Sequence, residues 1–201
     1  MQKKKISSRE SIEENLQTWC YEVGSRFEEI GRDAADDFFY YFKKLNNLEF
    51  IEEKNNIVYD IGSGDGSSTN RLTELGFDVV AVDINYNKLK KTNARQKICE
   101  DVLTFLKNMP AGVQINNIFS HHSLEHMVDA EEIINFLGEK LMVGGLYYSI
   151  VPANDYLHSV HHVVFESPRE LLPSVSFDVI ELCEQIRFGE KEYKCILKKA
   201  K

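Results

Sequence analysis

The chain has 201 residues, enough for one domain with a substantial core, and 43% hydrophobic with 28% charged residues is a globular composition, not a disordered one. A net charge of −8 would repel a phosphate backbone, so nucleic acid is not the expected partner. Lys3, Lys4 and Lys5 lead into "ISSRESIEEN" and not into an apolar stretch, and no later segment is apolar for long enough to span a bilayer, so neither a signal peptide nor a membrane partner is expected.

Residues 1–56 carry no strand pattern. "SIEENLQTWCYEVGSRFEEI" and "DAADDFFYYFKKLNNLEFI" predict helices, with an aromatic run at Phe38, Phe39, Tyr40, Tyr41 and Phe42. Five consecutive aromatics cannot face one side, so part is expected to pack and part to line a cleft. From Ile57 onward apolar runs alternate with helix-like stretches. "NIVYDIGSG" predicts a buried strand ending in a glycine turn, and "SSTNRLTELG" a helix with Ser or Thr near its start and Gly76 at its end. "FDVVAVD" predicts a second strand, "NYNKLKKTNARQ" a helix, "KICED" a short third strand, and "VLTFLKNM" a helix closed by Pro110. "QINNIFS" is the fourth strand, "DAEEIINFLGEKL" a helix, and "GGLYYSIVP" the fifth strand. Such alternation implies right-handed crossovers and a mostly parallel sheet covered on both faces. "SFDVIELCEQI" and "EYKCILKK" are separated only by "RFGEK", too short for a crossover helix, and predict an antiparallel hairpin on the sheet edge. Cys20, Cys99, Cys183 and Cys195 form no C-x-x-C pair and read as reduced thiols of a cytoplasmic protein.

The strongest local signal is "VYDIGSGDGSST". A strand runs into Gly62, Gly64 and Gly66, with Ser63 between them, and a helix follows. Glycines allow positive φ and close approach of backbone to a ligand, and the helix start favours an anion or carboxylate. The spacing is G-x-G-x-G, whereas the dinucleotide fingerprint would place its third glycine at Ser67. Asp60 lies two residues before the turn, beneath it, where a cationic ligand group could be held. Asp83, followed by Ile84, ends the second strand, where a carboxylate can accept both hydroxyls of a ribose. Asp101, followed by Val102, comes after the third strand and suits the amine and ring nitrogen of an adenine.

With these pieces in order, the sequence resembles the class I S-adenosylmethionine-dependent methyltransferases. The matching stretches are "VYDIGSGDG", "VVAVDIN", "CEDVLTFL", "NIFSHHSLEHM" and "GGLYYSIVP", which with the terminal hairpin cover residues 57–198. Among these enzymes the closest likeness is to small types with an "LEH" box after strand four. The resemblance implies a Rossmann-like α/β fold with a seven-stranded, mostly parallel sheet, an antiparallel C-terminal hairpin and a helical N-terminal cap. Residues 1–56 would be that cap and 57–201 the S-adenosylmethionine-binding methyltransferase domain. The implied cofactor is S-adenosylmethionine, leaving as S-adenosylhomocysteine. The loop from Gly62 to Gly66 would hold its methionine portion with Asp60, Asp83 with Ile84 the ribose side, Asp101 with Val102 the adenine, and Ser120 the strand-four side.

"SHHSLEHM" then overlies the reactive end. The amine-methylating Asn/Asp-Pro-Pro-Tyr/Phe box and a Pro-Cys nucleophile are both missing, which leaves a small molecule as the expected acceptor. His122, Glu125 and His126 spell H-x-x-E-H, a metal-peptidase pattern, but the motifs upstream assign this segment to a different scaffold. Some quinone-pathway O-methyltransferases hold a divalent cation with an acidic E-x-x-E-H set here; His122 replaces the first glutamate, and no metal is expected. His121 and His122 are candidate bases for an acceptor hydroxyl, and Glu125 with His126 are expected to hold the turn. The family also resembles the chain at His161, Phe165, Pro168, Glu170 and Leu171, where the proline opens a short helix in a loop of the acceptor pocket. His161 is therefore a third catalytic candidate. The expected reaction is O-methylation of a sugar, quinone precursor or similar metabolite. A nicotinamide-dependent reductase and a non-catalytic cofactor-binding partner subunit stay open, as does a homodimer.

Overall fold

A computed structural model of the chain describes residues 9–47, 56–153 and 162–200, with side chains of the first helix described from residue 28 onward. Seven strands form one sheet in the order β3-β2-β1-β4-β5-β7-β6. They are β1 Ile57–Ile61, β2 Asp78–Asp83, β3 Gln96–Cys99, β4 Asn117–His121, β5 Leu146–Pro152, β6 Phe177–Arg187 and β7 Glu190–Lys199. The first five pair in parallel, and β7 inserts antiparallel between β5 and β6. The order reverses between β1 and β4, and in open α/β sheets ligands bind at the carboxyl ends of the strands at such a switch point.

The helices are α1 Arg9–Asn46, α2 Ser67–Glu74, α3 Tyr86–Leu89, α4 Val102–Asn108 and α5 Ala130–Lys140. On one sheet face Ala34, Ala35, Phe38 and Phe42 of α1 and Leu72 of α2 pack on Val58, Val79, Phe119 and Tyr148. On the other, Val102 and Leu106 of α4 and Ile133, Ile134 and Leu137 of α5 cover Ile61, Val82, Ile118 and Tyr147. The expected fold class is what is found.

Three elements, α1, α3 and β4, differ from expectation in extent. Among the described residues the N-terminal region forms one helix, α1, where two were expected; the end of the second expected helix, residues 48–51, lies outside the described residues. Gly31 looks like a breaker, yet a Cβ there would lie 3.1 Å from the Ser67 side chain, and Ser68 Oγ donates to its carbonyl at 3.1 Å. It is small because α2 crosses there. Helix α3 is four residues long, not twelve: Thr92 Oγ1 donates to the Leu89 carbonyl, and Asn70 Oδ1 captures the Asn93 amide at 2.7 Å. α2 starts from Gly66 in the left-handed region, with no side-chain cap. β4 begins at Asn117 and not at Gln114, because Ile115 forms only an isolated bridge to Leu141.

In the aromatic run, Phe38 and Phe42 are buried and Tyr40 is exposed. Phe38 meets Phe119 and Tyr148 edge-on, with centroids 5.7 and 5.8 Å away, and those two rings stack on each other at 5.3 Å. The β6–β7 turn uses Phe188 and Gly189 at φ 51° and 84°, the two left-handed residues of a tight hairpin matched to sheet twist. Among the described residues no helix is long and apolar enough to cross a membrane.

Phe38→Ala should empty a fully buried volume between α1 and the sheet. Loss of about 3–5 kcal/mol in urea unfolding is expected; a loss under about 1 kcal/mol would mean that α1 is not part of the folding unit.

Candidate active site at the carboxyl ends of the strands

The turn after β1 is held from both sides. Gly62 and Ser63 donate their amides to the Val82 carbonyl at 2.8 and 3.2 Å, and Gly64 donates to Asp83 Oδ2 at 2.8 Å. The other oxygen of Asp83 accepts the Asn85 amide at 2.7 Å. Across the turn, Ser123 Oγ donates to the Ile61 carbonyl at 2.7 Å and lies 2.8 Å from Ser120 Oγ. A Cβ on Gly62 would stand 2.5 Å from that of Ser123, so close packing requires this glycine. A Cβ on Gly64, at φ 55°, would meet only the Gly62 carbonyl oxygen, at 4.0 Å. Ser63 Oγ is buried without a hydrogen-bond partner. An open glycine beside an orphaned buried hydroxyl is a cradle that a polar ligand would complete.

Asp60 sits beneath the turn, 2% exposed, and accepts a 2.5 Å hydrogen bond from Thr69 Oγ1. Burial, with the nearby charges of Asp83 and Asp65, raises its carboxyl to about 7 despite that bond. Asp101 caps α4, accepting from the amide and hydroxyl of Thr104 through Oδ1. Val102 is buried and Ile84 is 58% exposed beside Asp83, where an apolar side chain can cover a flat ring.

At the end of β4 adjacent residues should point to opposite faces. His122 breaks that rule with φ 49°, so its ring comes to 4.5 Å from that of His121. His122 Nε2 donates to Glu192 Oε1 at 2.8 Å, and Glu192, 1% exposed, accepts from Gln185 Nε2 on its other oxygen at 2.9 Å. Burial opposes the charged form of His122, but this bond and the charges of Glu125, Glu192 and Glu190 raise it above 6.5. His121 moves the other way: burial first, then the charges of His122 and Arg187, hold it well below 6.5. Its Nε2 is buried with no hydrogen-bond partner. The pair is thereby split into a neutral and a chargeable imidazole.

Behind this pair lies a polar cluster that sequence reasoning missed. Arg187 of β6 lies 3.3 Å from Asp33 and 3.8 Å from both Asp37 and Glu192. Asp37 Oδ2 accepts from Tyr148 Oη at 2.8 Å and meets Lys194 Nζ at 2.7 Å. The one signal in the sequence was the alternation Glu192, Lys194, Ile196, which puts two charges on a face that becomes apolar further on.

Glu125 is 2% exposed, and its backbone carbonyl accepts the amides of His162 and Val163, which ties that segment to the turn after β4. His126 Nε2 lies 3.7 Å from Glu125 Oε1, and the three residues Leu124–His126 form a 3₁₀ turn. Pro168 opens a second one, Pro168–Leu171, as the resemblance implied. His161 lies outside the described residues.

A family model described as "Methyltransferase domain" matches residues 34–193. A SAM dependent methyltransferase from Archaeoglobus fulgidus superposes with a TM-score of 0.65 at 20% identity, covering 90% of this chain and 99% of that one. The Burkholderia thailandensis 1,6-didemethyltoxoflavin-N1-methyltransferase, bound to 1,6-didemethyltoxoflavin and S-adenosylhomocysteine, gives 0.63 at 15% identity over 98% and 92%. The magnesium protoporphyrin IX methyltransferase of Synechocystis PCC 6803, with bound SAM, gives 0.60 at 15% over 85% and 81%. At these identities the likeness is one of fold. A search of curated proteins finds no match.

The raised Asp60 carboxyl has a consequence for stability. The folded chain keeps its proton up to about pH 7, whereas the unfolded chain loses it near 3.8, so Asp60 makes stability fall as pH rises through that window. Asp60→Asn removes this fall. Its melting temperature relative to the parent, both without ligand, should rise between pH 5 and 8; a constant difference would contradict the assignment.

Proposed function

The chain belongs to the methyltransferase domain family, and from that premise we propose that it transfers the methyl group of S-adenosylmethionine to a hydroxyl of a small-molecule acceptor. The single observation that carries the acceptor chemistry is His121 Nε2, buried and unpartnered at the end of β4, next to the glycine turn. The cradle fits the cofactor. Gly62, Ser63, Gly64 and Gly66 with Asp60 would hold its amino-acid portion, Asp83 and Ile84 its ribose side, Asp101 and Val102 its adenine, and Ser120 the strand-four side. When bound, S-adenosylmethionine supplies a methyl group already activated on a sulfonium sulfur, and leaves as S-adenosylhomocysteine.

The protein's part is then to position the acceptor and to take its proton. Positioning can contribute up to about 7–11 kcal/mol. His121, neutral at pH 7, offers the Nε2 lone pair to the acceptor O–H, while His122 is oriented by Glu192. A base in this position typically adds about 10²–10⁴-fold. Two of the structurally similar enzymes carry the names of small-molecule acceptors, 1,6-didemethyltoxoflavin and magnesium protoporphyrin IX, which supports this class; a sugar or a quinone precursor is the reading carried from the sequence. His161 is the third base candidate. The free thiols of Cys99, Cys183 and Cys195 support a cytoplasmic location.

The test is homocysteine release after incubating the chain with S-adenosylmethionine and libraries of hydroxylated metabolites and sugar nucleotides. With an active acceptor in hand, His121→Asn should lower turnover by about 10²–10⁴-fold while cofactor affinity is kept. Full turnover of that variant, or an acceptor methylated only at nitrogen, would overturn the reading.

A further inference from the structure

We propose that His121, His122 and Glu192 form a binding site for one divalent transition-metal ion of the zinc type. One ligand atom from each lies within 4.8 Å of the other two. Three independent features bring them together. The left-handed φ of His122, 49°, turns its ring to the same side as its neighbour's, which a regular strand forbids. Glu192 arrives from β7, seventy positions along the chain, and its second oxygen is fixed by Gln185 Nε2 at 2.9 Å, as ligating carboxylates usually are. His121 Nε2 is buried with no hydrogen-bond partner, and a metal ion is a partner it can take without a proton.

The donor set selects the ion. Two imidazole nitrogens and one carboxylate suit zinc, cobalt or iron(II); magnesium and calcium favour oxygen ligands. Three protein ligands leave a coordination position for water or an acceptor oxygen. The surrounding charge is compatible: Glu125 is buried nearby with Oε2 unpartnered, and Arg187 is shared among Asp33, Asp37 and Glu192. Lys194 is paired with Asp37 and Glu181. This set differs from the H-x-x-E-H spacing, of which it uses only His122.

Occupancy and base function compete. Ligation needs the lone pair of His121 Nε2 and displaces the proton from His122 Nε2. The metal-loaded chain therefore lacks its free histidine base, and added zinc should slow methyl transfer. This consequence rests on the base reading above; the binding claim does not.

Cobalt(II) titrated into the full chain at pH 7.5 should give visible bands of a low-coordinate site, saturating at one ion per chain, and zinc should displace it. His121→Ala and Glu192→Gln should each weaken binding by more than about 100-fold, and Gln185→Ala by about 10–100-fold, that being the usual effect of losing a carboxylate's outer partner. Circular dichroism and S-adenosylmethionine affinity establish which variants are folded. Absence of cobalt binding, binding unchanged in folded His121→Ala and Glu192→Gln, or binding lost only in Cys99→Ser would overturn the site. Zinc-loaded enzyme turning over at the parent rate would overturn the competition while leaving the site itself to the cobalt titration.

Discussion

Asp83 ends β2 with one carboxylate oxygen on the Gly64 amide and the other on the Asn85 amide. Hydrogen bonds to an ionised acceptor are among the stronger ones, and these two tie the glycine turn to the neighbouring strand. The Val82 carbonyl, taking the Gly62 and Ser63 amides, completes the attachment. On the opposite flank, Ser123 anchors the last carbonyl of β1. The turn is thus clamped between β2 and β4, the strands on either side of β1, at the place where the sheet order reverses. Gly66 can then start α2 in the left-handed region, and Ser63 Oγ is left without a partner.

The second constraint is electrostatic. Asp33 and Asp37 lie one turn apart on α1, beside its apolar stripe, and face Arg187 and Lys194 of the hairpin. Charges removed from water are costly, and removing one partner leaves the other uncompensated, so such a cluster fixes how two elements meet more than it adds stability. Here it sets α1 against β6 and β7 and holds Glu192 behind His122. The hairpin, which closes the sheet edge, also supplies the carboxylate of the site.

What could be read from the sequence follows its local character. The strands were legible because each is a short apolar run next to a turn, and the aspartates proposed for the cofactor drew attention because each stands at or beside a strand end. Asp101 shows the limit of that logic: the same aspartate after a strand is also the N-cap of α4, and one sequence position serves both descriptions. Gly31 and the lysine-rich stretch after Asn85 misled because their conformation is decided by tertiary partners, the serines of α2 in one case and Asn70 in the other. Glu192 was legible only through its alternation with Lys194 along β7, and its pairing with His122 was not. Its partner is seventy residues away, and a glutamate near the start of an edge-region strand normally points to solvent. The left-handed turn at His122 is equally silent in the sequence, since nothing about a histidine pair announces that both rings will face the same way.

The turn clamped by Asp83 suits S-adenosylmethionine and not a nicotinamide dinucleotide, whose sites share the strand-end acid. Isothermal titration of the ligand-free chain with S-adenosylmethionine, S-adenosylhomocysteine, NADH and NADPH decides this most directly. The first two should bind at one per chain, and neither nicotinamide nucleotide should bind. Binding of NADH or NADPH with no heat from S-adenosylmethionine would contradict this.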